Sequence, residues 1–257
     1  ALHLLADQSG LPNIRSIWPS LRGASWQPVL GLADDQPDGA SPLLIDVSSL
    51  ASDAHLQRIV RWLYDQGRFA NCLCLLRGPL AARELATRLR ERTEAQLPDR
   101  LTVVLRYFDT RTLPLLPKLL SGEQFSGFMS CIDDWYFVDR QGQTMAMPIP
   151  DDRAGAPFPP LVFDEAQERL LMDDGLADAV LDQLLDQRHA ALRQQTPPQQ
   201  YLRVAGLVES ARRYGIDDVA DATRYCFAAF EHGDDFDTRE PWSSRLASVR
   251  RGQASLE

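Results

Sequence analysis

No apolar run in this chain approaches the roughly 18 residues that a membrane-spanning helix requires, so no membrane span is expected. The opening residues lack a basic stretch followed by an apolar core, which argues against a signal peptide. The closing Leu256-Glu257 reads as a vector scar and is left out of the fold argument. Basic residues are in the minority, 27 against 36 acidic ones, for a net charge of −9. That balance argues against nucleic acid as a partner, because phosphate binding needs a clustered basic surface. The arginines of Arg83–Arg92 are interrupted by acids at helical spacing and read as a solvated helix face. Cysteine is scarce: Cys72, Cys74, Cys131 and Cys226. Cys72 and Cys74 lie two apart on an apolar strand, face the same way and cannot bridge each other there. No second half of a zinc motif accompanies them, so buried free thiols in a reducing cytoplasm are expected.

Catalytic signatures are missing too. There is no G-x-S-x-G elbow, phosphate-binding glycine loop, H-E-x-x-H or kinase set. His3, His55, His189 and His232 are scattered and read as surface or helix-end residues. The acidic pairs Asp133-Asp134, Asp151-Asp152 and Asp234-Asp235 suit turns and caps better than acid/base work, since adjacent residues on extended chain diverge. No catalytic, cofactor-binding or metal residue is assigned. The balance shifts toward binding, with a hydrolase-like enzyme of dispersed site as the alternative.

What is present is a 257-residue chain with 44% hydrophobic and 25% charged residues, long enough to bury a real core. Leu2–Ala6, Leu43–Val47, Phe69–Leu76, Leu101–Phe108 and Trp135–Val138 have strand patterns. Trp26–Leu32 adds an extended edge, where Pro28 keeps it off the sheet centre. Helical spacing appears in Pro12–Leu21, in a stripe of Leu56, Ile59, Val60, Leu63 and Tyr64 capped by Ser49 or Ser52 and stopped by Gly67, and in Pro79–Thr93. Pro114 and Pro117 make the next helix short or irregular. Pro148–Pro160, with five prolines, reads as a linker. Beyond it Asp164–Met172, Leu176–Leu192, Gln199–Tyr214, Asp217–His232 and Trp242–Val249 are helical. The expectation is an α/β N-terminal lobe, a mixed sheet flanked by helices, over 1–147, a linker over 148–161 and an all-helical lobe over 162–257.

Leu101–Arg111 (LTVVLRYFDTR) organises the first lobe. Its alternation puts apolar residues on both faces, as in a strand covered on two sides. Arg106 needs a partner there, and Asp109 is the nearest candidate. Asp109 can also cap a helix opening with Thr110 and Arg111.

Arg106-Tyr107-Phe108-Asp109-Thr110-Arg111 resembles the R-[FY]-[FYW]-D-P-R signature of the domain-of-unknown-function family 4123. Leu2–Ser9 resembles that family's opening strand with its Asp and small residue, and Leu43–Val47 the strand that follows. Phe125-Ser126-Gly127-Phe128 with Trp135 is similar to a later Phe-Gly…Trp segment, and Tyr214-Gly215-Ile216 to the helical half. Thr110 stands where the family has proline, a residue favoured at a first helical position. The resemblance implies a non-enzymatic, cytoplasmic adaptor chaperone. Its partners would be a cognate type VI secretion effector and the VgrG spike onto which that effector is loaded. Arg106, Asp109, Arg111 and Trp135 would form a structural corner or a partner-binding surface, Arg111 being suited to an interface anchor.

Overall fold

A computed structural model describes residues 1–11, 26–29, 41–153, 155–187 and 190–253. The helix expected over Pro12–Leu21 and His189 lie outside the described residues. The chain forms two compact units, Ala1–Glu168 and Arg169–Glu257. The first carries the sheets with flanking helices and the second is helical, the class that the patterns predict.

The first unit is built on six antiparallel strands: β1 (Leu2–Ala6), β2 (Trp26–Pro28), β3 (Leu43–Asp46), β4 (Leu73–Arg77), β7 (Asp134–Val138) and β8 (Thr144–Ala146), in the order β2-β3-β1-β4-β7-β8. β2 is an edge, as Pro28 requires. β7 and β8 form a hairpin whose turn uses Gly142 at φ 75°. Pairings Leu4↔Ile45, Leu4↔Leu75 and Leu75↔Tyr136 set one face; His3, Leu5, Cys74, Leu76, Trp135 and Phe137 occupy the other.

Helix α1 (Ala54–Gly67) covers part of the first face, packing Leu56, Ile59 and Leu63 against Leu4, Ala6, Leu43, Ile45 and Leu73. Its cap is Asp53, whose carboxylate accepts from the His55 and Leu56 amides, rather than either expected serine. Asp53 wins because it lies directly before the first turn, within reach of the amides left unpaired there. Gly67 is needed for close approach. A Cβ there would stand 2.9 Å from both Cys72 Sγ and a Leu73 methyl. Helix α2 (Ala82–Glu91) lies on the opposite side, burying Ala82, Leu85, Ala86 and Leu89.

The strand expected over Leu101–Phe108 is shorter and sits elsewhere. Only Thr102–Val104 (β6) is extended, in a second sheet of order β6-β5-β9 with β5 (Glu94–Gln96) and β9 (Leu161–Val162). Leu101 and Val104 are more than half exposed, so it is not a strand covered on two faces. The physical reason lies in the next residues. Strict alternation would send Tyr107 and Phe108 to opposite sides, yet both are fully buried, and the chain leaves the strand before Arg106 to bury them together.

Pro114 and Pro117 break the following segment into a 3-10 turn (Leu113–Leu115) and a single turn α3 (Leu116–Leu119). Helix α4 (Gly122–Met129) opens with a complete capping box of Ser121 and Gln124. The proline-rich stretch is tied to this unit. Ser126 Oγ donates to Asp152 at 2.6 Å, Arg153 Nε donates to the Ile132 carbonyl at 2.9 Å, and β9 pairs with β5.

One helix, α5 (Glu165–Asp186), whose first residues belong to the first unit, runs through Asp173-Asp174-Gly175, where the spacing predicts two helices. An exposed glycine costs a helix only about 1 kcal/mol. Burial of Leu176, Val180, Leu181 and Leu184 offsets it. Helices α6 (Pro197–Arg212), α7 (Val219–His232) and α8 (Trp242–Arg250) complete the second unit. Gly215 and Gly233, at φ 78° and 98°, follow α6 and α7 as expected of terminating glycines. Tyr225 and Tyr214 both donate to Asp237 Oδ2, at 2.8 and 3.2 Å, joining α7 and the α6–α7 turn to the segment after α7.

Candidate functional site

The residues singled out from the sequence fall around the ends of β1, β4 and β7. Asp7 follows β1 and is buried, and its Oδ1 accepts from the Ser9 amide. The resulting tight turn brings Gly10 against Cys72, where a Cβ would lie 2.6 Å from the cysteine Cβ. Asp7 Oδ2 accepts from Arg106 Nη2 at 2.8 Å, and the same nitrogen donates to Ser9 Oγ at 3.0 Å. The Arg106 guanidinium also lies 5.0 Å from the Phe108 ring centre. Arg106 is therefore anchored to the end of β1, which corrects the expected pairing with Asp109. The partners are 99 residues apart, and the turn at Asp109 points its carboxylate elsewhere.

Asp109 holds Arg111 instead. Its Oδ1 accepts from the Arg111 amide at 3.1 Å and Nε at 2.9 Å, and Oδ2 accepts from Nη2 at 2.6 Å. This two-toothed pair closes a turn rather than capping a helix; the expected first helical residues are turn residues. Thr110 is buried inside the corner. Its amide donates to the Asn71 carbonyl at 2.9 Å and its hydroxyl to the Val138 carbonyl at 2.7 Å. Four segments meet here: the end of β1, the entry to β4, the exit of β7 and the 106–111 turn.

Trp135 does not reach this surface. It is buried beneath the corner, stacked on Phe128 with centroids 6.0 Å apart and edge-on to Tyr107 at 5.8 Å. Tyr107 in turn donates to the Leu89 carbonyl at 2.8 Å. Trp135 thus links the corner to the core on the α2 side.

Arg92 escaped the sequence reading, which placed it on a solvated face. Its side chain is 1% exposed. Nε donates to the Phe128 carbonyl at 2.8 Å, Nη1 to Arg88 O at 2.6 Å, and Nη2 to Gly127 O at 2.9 Å and Ser130 Oγ at 3.1 Å. The cation satisfies carbonyls at the C-terminal end of α4, where the helix dipole favours positive charge. It also lies 4.5 Å from the Phe158 ring centre. Burial pulls its pKa below the ordinary value. Helical periodicity carried a faint signal, because Arg92 follows Leu85 and Leu89 on the buried stripe of α2.

The thiols are inert by environment. All four cysteines are buried and free. Burial pushes Cys74 up to about 12 and raises Cys72 further, with the Asp7 and Asp109 carboxylates adding to the effect at Cys72. A thiol that stays protonated is neither nucleophile nor metal ligand at neutral pH. The acidic pairs are engaged as well: Asp133 with Arg153, Asp134 with Arg77, Asp152 with Ser126, Asp234 with Arg203 and Asp235 with Arg239. No group of three or more His, Cys, Asp or Glu suited to a metal ion occurs among the described residues.

α1 leaves the β7 side of its sheet face open. A groove of 290 Å³ runs there between Val60 and Tyr64 of α1 and Leu75, Tyr136 and Val138 of the sheet. Tyr64 and Tyr136 are about 40% exposed at its rim. Its walls are almost wholly apolar, so it can hold aliphatic or aromatic groups.

Residues 2–126 match the family model DUF4123, described as a domain of unknown function. The match spans just under half of the chain and supports the DUF4123 family for that segment. It contains Asp7, Arg106, Asp109 and Arg111, whereas Trp135 and the second unit lie beyond it. No curated protein and no solved structure matches the chain.

Proposed function

We propose, taking the DUF4123 match over residues 2–126 as premise, that this chain is a non-enzymatic adaptor chaperone. It binds a cognate type VI secretion effector in the cytoplasm and promotes its loading onto the VgrG spike. The observation that carries the reading is the R-Y-F-D-x-R segment, which lies inside the matched region and forms a closed corner. Arg106 and Arg111 spend their charge on Asp7 and Asp109 in that corner. Two features support binding over turnover. The groove beside α1 is lined by apolar and aromatic groups, the make-up of a protein-recognition surface. The nearby thiol of Cys74, on the opposite face of the same strand, is buried and held protonated. Arg111 belongs first to the corner, and its side chain is 31% exposed there.

Co-expression with each type VI effector of the source genome tests the reading. The complex with the cognate one should co-purify, and toxin loading on purified VgrG should rise when the adaptor is present. A set in which no toxin is captured or loaded more efficiently refutes the adaptor role. Arg111→Glu, with the fold verified by circular dichroism, should leave capture unchanged if the residue serves only the corner.

A further inference from the structure

The three-stranded sheet has an open face that the corner does not use. Register puts Glu94 opposite Val104, and Gln96 opposite Thr102 and beside Val162, all on the same side. Val104 and Val162 are 56% and 55% exposed there. Phe158 and Pro160 wall this side and, with Glu91, enclose a groove of 440 Å³. Glu91 is 3.6 Å from Arg88, an exposed pair that water screens, and 4.0 Å from the buried Arg92 guanidinium. Glu94 makes no ion pair among the described residues. Among the described residues β6 is one of the two outer strands, and Leu101 beside it is 57% exposed. Thr102-Val103-Val104 carries neither the charge nor the proline that usually blunts an edge.

We propose that this face docks an extended segment of a partner protein in which a lysine or arginine lies between aliphatic side chains. The inference rests on the reading that the chain works by binding a protein, and names the chemistry of the bound segment. Charge selects the occupant. Aliphatic side chains cover Val104 and Val162, while a cation meets Glu94, with Glu91 adding negative charge beside it. A nucleic acid or an anionic membrane would set phosphates against the carboxylates. A two-fold pairing with a second copy would set glutamates against glutamates, because such an interface presents the same patch twice.

The test uses the full chain and two acetylated pentapeptides of alternating valine with lysine or with glutamate, read by amide NMR. The lysine peptide should shift Glu94, Gln96, Thr102, Val104 and Val162 and bind at least ten-fold more tightly than the glutamate peptide. Glu94→Lys should abolish that preference, and Val104→Lys should weaken both peptides. Both substitutions are at exposed positions and spare the core. Equal binding of the two peptides, or shifts confined to the α1 groove, overturns the proposal. So does a dimer in sedimentation that Val104→Lys dissolves. A toxin from that set separates this from the adaptor reading. If wild type captures it and Glu91→Lys/Glu94→Lys changes its Kd less than two-fold, this docking face falls and the adaptor role stands. If wild type captures no toxin while the lysine peptide still maps here, the docking face stands and the adaptor role falls.

Discussion

Arg106 offers the sharpest check on the corner, because sequence proximity and the structure name different partners for it. Its guanidinium is 2.8 Å from Asp7 Oδ2 and 3.0 Å from Ser9 Oγ, with the side chain 43% exposed and that of Asp7 3% exposed. A fully exposed pair would contribute about 0.2–1 kcal/mol. A charge-assisted bond to a buried carboxylate contributes about 1.5–3 kcal/mol. Half of this guanidinium is in water, so the lower part of that range applies. Arg106→Met keeps an aliphatic stem over Phe108 and should cost about 1.5 kcal/mol, on the charge-assisted scale. Asp7→Asn retains an oxygen for the Ser9 amide and isolates the charge. In a double-mutant cycle the two should couple by about 1 kcal/mol, whereas Arg106→Met with Asp109→Asn should be additive within about 0.3 kcal/mol. Urea unfolding combined with native-state amide exchange at Leu5 and Cys74 reads the opening of the β1–β4 region directly. A coupling to Asp109 equal to or larger than that to Asp7 would refute the assignment and restore the local pairing.

Thr110→Pro, which restores the residue that the family signature carries, should destabilise this chain by about 2–4 kcal/mol in thermal or urea unfolding. It removes the amide bond to Asn71 and the hydroxyl bond to Val138 at a buried site. A neutral or stabilising outcome would mean that neither bond holds the corner. Ellman's reagent at pH 8 should leave all four thiols essentially unreacted in the native protein and titrate them after urea. Cys74 adds a linkage with definite sign: its thiol ordinarily titrates near 9 and in the fold at about 12, so the unfolded chain releases the proton first. Its contribution is complete below pH 9 and is lost as pH rises toward 12; a stability that climbed across that window would contradict the burial of this thiol. In the second unit, Asp237→Ala leaves the buried Tyr225 hydroxyl without its acceptor and should cost about 2–3 kcal/mol, seen as faster amide exchange along α7. Unchanged exchange there would show that the two tyrosines do not depend on the carboxylate.

Much of the secondary structure could be read locally. β1, β3 and β4 are short apolar runs bounded by turn residues, and α1 and α2 show the three-and-four spacing of a one-sided stripe. Pro28 marked a sheet edge, and Gly215 and Gly233 marked helix ends, because each states a backbone constraint within a residue or two. β5 and β9 went unseen: three and two residues long, they are too short for period-two alternation to register. The proline-rich stretch read as a linker because prolines lack donors, yet its contacts run through Asp152, Arg153 and the ring of Phe158.

The corner divides in the same way. That the chain turns a charged corner at Asp109 was legible, and the Asp109–Arg111 clasp is a contact two residues long, although the local pattern suggested a helix cap there and a pairing with Arg106. Which carboxylate holds Arg106 was not legible, since it depends on β1 returning beside β4 to bring Asp7 within 2.8 Å. Arg92 shows the same limit from the other side. Its neighbours in sequence are those of a solvated helix, but α4 ends where its carbonyls need a donor, and the tertiary fold buries the cation there. The sequence by itself determined where the chain bends, which stripes are apolar and that the few cysteines remain unbridged, because those follow from contacts between near neighbours. Only the tertiary structure decided the partners of the arginines and the two open surfaces, because buried charge must be satisfied by whatever group the fold brings within reach.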